Sequence, residues 1–219
     1  MKLFFVFCII STSIFYADEK KGNIGFKYGF LGQMKSNPDS TVELSDGYVI
    51  HTDDKVRINI GYMKESSFYL VYIGSVGEVM MLYQDLLEGK PNEEAKPGTI
   101  YASALPWSPL SDPPGYETFY FINSRAPLTE LTKLIGRYEK APEKAQVKLA
   151  NRIQGLIDDL DPNIKGDLSL IPNRLDKPMV GGVAFRGDND NDALKDMSLT
   201  HTCTGSNGVA FQKIVLNHQ

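Results

Sequence analysis

The sequence predicts an α+β fold, mainly β: an antiparallel β-sheet or sandwich with two packed helices. Three observations predict it. Val56, Ile58 and Ile60 alternate with polar or small residues, the period-two pattern of a half-buried strand. Residues 68–73 and 79–83 are dense in aromatic, β-branched and other apolar side chains and flank Gly74-Ser75-Val76-Gly77, which reads as an antiparallel hairpin with Gly74 and Gly77 as its structural turn. Further on, Leu128, Leu131, Leu134 and Ile135 recur at steps of three and four, the stripe of an amphipathic helix.

The N-terminal residues stand outside that fold. Lys2, an apolar run over residues 3–10, and the charged break Asp18-Glu19-Lys20-Lys21 form the pattern of a secretory signal peptide over residues 1–17, with cleavage after Ala17. The apolar run is short of the roughly 20 residues that span a bilayer core, so no transmembrane segment is expected after cleavage. Cys8 falls inside the signal, which leaves Cys203 as the single cysteine of the exported chain. With no internal disulfide, the fold must be held by packing. The remaining residues, 24–219, are enough for a single exported β-rich domain. The formal net charge is −4, and no Lys/Arg stripe is present; nucleic acid is not an expected partner.

Within the domain, residues 24–34 (IGFKYGFLGQM) space aromatic residues with glycines and read as a short strand or an irregular segment packed on the sheet. Their glycines lack phosphate-loop spacing. Residues 36–40, with Pro38, read as a turn, and residues 42–50 as an edge strand interrupted by Asp46-Gly47. Thr52-Asp53-Asp54 turns the chain into the Val56 strand. After Tyr83, residues 84–98 form a polar connection whose Glu88, Glu93 and Glu94 read as a solvated loop. Residues 99–104 make a short strand. Proline-rich residues 105–114 cross a sheet edge, with Trp107 covering core or presenting a contact surface, and residues 115–123 return to strand composition.

The helical region spans residues 128–160 as a hairpin. Thr129 is a candidate cap of the first helix, and Ala141-Pro142-Glu143 starts the second. Val147, Ala150, Ile153, Leu156 and Ile157 form an apolar face that must dock, most economically on the sheet. Residues 166–178 are loop-rich, 179–185 read as a short strand, and 209–216 as a C-terminal strand tied to the main sheet.

The residues able to carry chemistry are few. Cys203 with His201 is the candidate catalytic pair of a small cysteine-dependent hydrolase, because such a site needs a thiolate and a base within reach. His218, next to the chain end, is a poor place to hold a base. His51, His201, His218 and Cys203 lack zinc-ligand spacing. Asp188, Asp190 and Asp192 offer oxygen ligands for calcium, although a turn rich in Asp and Asn satisfies its own backbone without metal. Arg186-Gly187-Asp188 is an adhesion tripeptide that also occurs by chance. No cofactor is required by any of these patterns.

The run Asp54–Ile60 together with residues 67–83, followed by Thr99-Ile100, Ala104-Leu105-Pro106, Asp112-Pro113-Pro114-Gly115 and the strand from Glu117, resembles the bacterial domain-of-unknown-function family 4384 (DUF4384) over roughly residues 42–135. The chain departs from that pattern at Tyr83-Gln84, where the family often has an aromatic residue and proline. The resemblance implies an exported bacterial module and supplies no catalytic residue to carry over. The expected function is therefore a non-catalytic accessory or protein-interaction module of the bacterial cell envelope, periplasmic or secreted, bound to an unidentified envelope protein. Trp107, Tyr101 and Tyr116 are its candidate contact surface. The hydrolase and a calcium-stabilised structural module are the alternatives.

Overall fold

The structure is a computed structural model that describes residues 24–63, 66–86, 100–161, 173–174, 183–185, 199–205 and 208–219. It is mainly β with two helices, in three layers: one sheet, a second sheet, and a helical hairpin.

The first sheet is built on β1 (Ile24–Met34) and β4 (Lys55–Met63), antiparallel from Phe26↔Tyr62 to Gln33↔Lys55. On the far edge of β1, β12 (His201–Gly205) and β2 (Asn37–Glu43) lie end to end. On the far edge of β4 lie β7 (Ile100–Ala104) and β8 (Ser108–Pro109). The short β10 (Asn173–Arg174) and β11 (Val183–Phe185) pair with β12 and β7. The second sheet has the order β3 (Val49–Ile50), β13 (Val209–His218), β9 (Gly115–Ser124), β5 (Ser67–Ile73), β6 (Val79–Asp85).

The alternation along each strand explains the layering. Phe26, Tyr28 and Phe30 of β1 and Val56, Ile58, Ile60 and Tyr62 of β4 point into an interlayer core, against Phe68 and Leu70 of β5, Phe119 and Phe121 of β9, and Ile214 and Leu216 of β13. The intervening residues of the second sheet, Tyr69, Val71, Tyr120, Ile122 and Phe211, pack under the helices. Strands β5 and β9 are thus buried on both faces, which is why their sequences read as dense apolar runs while β4 alternates. Each large side chain wholly removed from water contributes about 1.5–3 kcal/mol.

Three local readings are corrected. Residues 24–34 are a full 11-residue strand at the centre of a sheet, because the aromatic face supplies the burial while glycines permit close approach; a Cβ on Gly25 would stand 2.8 Å from the Cys203 carbonyl oxygen. The turn after β1 is at residues 35–36, and Pro38 lies within β2, beyond a register shift at Gln33/Met34 where no ladder donor is needed. Residues 42–50 are not one interrupted strand. Gly47, at φ +77°, turns the chain from β2 in one sheet to β3 in the other.

The helices are α1 (Thr129–Tyr138) and α2 (Glu143–Asp158). Leu128, not Thr129, occupies the cap position of α1. No side chain caps it, and its backbone N–H donates to the buried Tyr69 hydroxyl at 2.8 Å. Leu131, Leu134, Ile135, Tyr138, Ile153 and Ile157 are buried, but Val147 is 67% exposed. The fully buried side chains of α2, Ile153 and Ile157, fall in its C-terminal half, with Leu149, Ala150 and Leu156 partly buried against the same cluster. Among the described residues no helix is long and apolar enough to cross a membrane.

Candidate functional site

Strand β12 places His201 and Cys203 two residues apart, opposite Tyr28 and Phe26 of β1. Cys203 is buried, its Sγ donates to the Phe211 carbonyl at 3.3 Å, and burial pushes the thiol up to about 12. A cysteine nucleophile needs the opposite shift. His201 is engaged elsewhere: Nε2 contacts Glu43 Oε1, and the ring stacks on Tyr28 with centroids 4.9 Å apart. Glu43 also accepts from Thr200 Oγ1 at 2.8 Å.

The aromatic residues do not form one surface. Arg57 lies between Val56 and Ile58, which face the core, so the Trp107 ring that receives its guanidinium at 5.9 Å sits on the outward face of the first sheet. Tyr116, 68% exposed, precedes the inward Glu117 and lies on the far face of the second sheet. Tyr101 is in β7, opposite Tyr62, and its side chain lies outside the described residues. Asp188, Asp190 and Asp192 also lie outside them. Among the described residues no three His, Cys, Asp or Glu side chains converge as metal ligands.

A different group of residues does converge, at the end of the interlayer core. His218 continues the inward face of β13 after Ile214 and Leu216, and Glu117 continues that of β9 before Phe119 and Phe121. His218 Nδ1 lies 3.2 Å from Glu117 Oε1, with the imidazole 0% and the carboxylate side chain 3% exposed. On the other side, Thr52 Oγ1 donates to Asp112 Oδ1 at 2.8 Å and lies 3.0 Å from His218 Nε2. A hydroxyl has one proton. Because Thr52 gives its proton to Asp112, His218 Nε2 is the donor to Thr52.

Glu117 Oε2 in turn accepts from the Tyr72 hydroxyl at 2.5 Å. Burial, reinforced by Glu117 and Glu78, raises the Tyr72 phenol well above its ordinary value, so it stays a donor. Glu78 Oε1 stands 3.4 Å from the same hydroxyl, whose single proton is committed to Glu117. Glu78 Oε2 is buried with no hydrogen-bond partner.

The hairpin turn holds Glu78 there. The Gly74 N–H donates to the Glu78 carbonyl at 3.0 Å, and the Gly77 N–H donates to the Gly74 carbonyl at 2.9 Å. The two glycines act differently. Gly77 takes a left-handed φ of +84°, whereas Gly74 makes room, since a Cβ there would overlap the Glu78 carboxylate.

Tyr72 and Glu78 form the polar end of a cleft of about 310 Å³ between the two sheets. Its other walls are Val56 and Ile58 of β4, Met80 and Leu82 of β6, Phe119 of β9, and the Leu105 to Ser111 segment. A small, largely apolar cleft with a few converging polar groups is the usual form of a binding site.

Of these polar residues the sequence motifs raised only His218 for chemistry, as a base beside Cys203 or a zinc ligand, and set it aside for its place next to the chain end. The signal was nonetheless present as a carboxylate and an imidazole at inward positions of otherwise apolar strand faces. His218 is well held, because β13 pairs with β9 and β3 through that residue and the Gln219 N–H donates to the Ile50 carbonyl at 2.9 Å. No family model, no curated protein and no solved structure matches the chain.

Proposed function

We propose that this protein is a non-catalytic, exported accessory or protein-interaction module of the bacterial cell envelope, periplasmic or secreted, and that the cleft between β4 and β6 is its contact site. The observation that carries the reading is the cleft itself: apolar walls, one under-satisfied carboxylate at its end, and Met80 at 47% exposure on the edge strand of the second sheet. Export is supported by the charge and hydropathy pattern of residues 1–21. The hydrolase reading draws no support from a neutral, buried thiol whose neighbouring imidazole serves Glu43.

The test is site-specific photocross-linking in envelope preparations, with benzoylphenylalanine at Met80 or at Val147. A discrete adduct from Met80 and none from Val147 is expected. Equal labelling at both positions, or none at Met80, would remove the cleft as the contact site.

A further inference from the structure

We infer that the cleft receives the lysine or arginine side chain of an extended segment of a partner protein lying beside β6. The inference rests on the reading of the protein as an interaction module and names the chemistry of its partner. Glu78 is the deciding residue. Its Oε2 is buried without a partner, and its Oε1 faces a hydroxyl whose proton belongs to Glu117. A carboxylate left in that state is costly unless a donor or a cation completes it. Apart from Tyr72, Ser108 and Ser111, the other lining side chains are apolar, so the complementary group is a cation on an aliphatic stem, as in lysine or arginine.

The position of the cleft selects an extended segment as the carrier. Among the described residues β6 ends the second sheet, and no strand pairs with its outer edge. Met80 and Leu82 of β6 line the cleft directly beneath that edge. A strand added alongside Val79 to Met81 would place alternate side chains into the space between the sheets. The added pairing is short, because the register shift opposite Leu70/Val71 leaves Leu82 unpaired and bends the edge.

The experiment uses a capped, strand-forming hexapeptide with one central lysine, and its counterpart with norleucine, titrated by calorimetry and followed at the Met80 methyl by NMR. The lysine peptide should bind at least about tenfold more tightly than the norleucine peptide. Glu78→Gln should bring the two within about twofold. Met80→Lys, at a half-exposed position compatible with the fold, should weaken the lysine peptide by at least about tenfold while leaving the melting temperature unchanged.

Equal binding of both peptides at the Met80 methyl would overturn the cation while leaving the cleft as a contact site. A lysine preference that survives both substitutions would overturn the role of Glu78. Binding of neither peptide would overturn the inference, and the Met80 cross-link then decides the broader reading separately. Concentration-dependent dimers lost in Glu78→Gln would assign the cleft to a second copy of this chain and overturn the partner.

Discussion

The described residues hold two histidine–glutamate pairs, and they differ in almost everything except composition. His201–Glu43 bridges β12 and β2 along one edge of β1, with side chains 22% and 34% exposed and an aromatic ring stacked on the imidazole. His218–Glu117 bridges β13 and β9 inside the interlayer space, almost wholly removed from water and continued by hydrogen bonds to Thr52 and Tyr72. The outer pair exchanges its interactions with solvent at little cost. The inner pair cannot. Removing one member strands the other in a medium that does not replace it. The inner network also reaches the Glu78 end of the cleft through Tyr72, whereas the outer pair lies beside a thiol that the fold keeps neutral.

The strongest way to break this contrast is to delete one histidine at a time. His218→Ala should lower the unfolding free energy by about 3–5 kcal/mol, read as a fall in the urea midpoint at constant slope. A loss below about 1 kcal/mol would mean that water reaches Glu117 and that the two pairs are alike.

Cys203 offers the next largest effect. With its thiol held near 12 against an ordinary value of 9.0, the folded state at pH 8 carries on the order of a thousandfold less thiolate than the unfolded chain. Iodoacetamide should therefore label Cys203 only as fast as the protein opens. The sign for stability follows. The contribution from the neutral thiol is complete below the unfolded value and is lost as pH rises from about 9 toward about 12. The Tyr28 phenol, raised chiefly by burial and then by Cys203 and Glu43, adds in the same direction at still higher pH. Cys203→Ala should flatten the alkaline decline in midpoint; an unchanged slope would show that the thiol does not titrate with unfolding.

The smallest effect sharpens the outer pair. His201→Ala should cost less than about 1 kcal/mol in the same urea titration, and the cost should shrink with added salt as exposed charges are screened. A loss matching that of His218→Ala would place the outer pair in the core.

Much of the fold was legible because it depends on local pattern. Val56, Ile58 and Ile60 show the alternation of a strand with one buried face, Leu131, Leu134 and Ile135 the spacing of a helix, and Gly74 to Gly77 the reversal between β5 and β6. The site was less legible because its members come from distant parts of the chain. Thr52, Tyr72, Glu78, Asp112, Glu117 and His218 meet only when β13 closes beside β9 and β3. Read singly, Glu117 is a charge within a strand and His218 a terminal histidine. Read with period two, each falls on an apolar face, which marks a buried polar residue without naming its partner.

The sequence by itself determined the β-rich class and the helical hairpin, since composition and periodicity act through neighbours along the chain. Only the tertiary structure decided that β2 and β3 belong to different sheets, that Trp107 and Tyr116 face apart, and that Glu78 closes one end of a cleft. Those facts depend on which strand edges meet across long loops. The free energy that selects the pairing comes from burying whole faces against each other, a quantity that no single stretch of sequence contains.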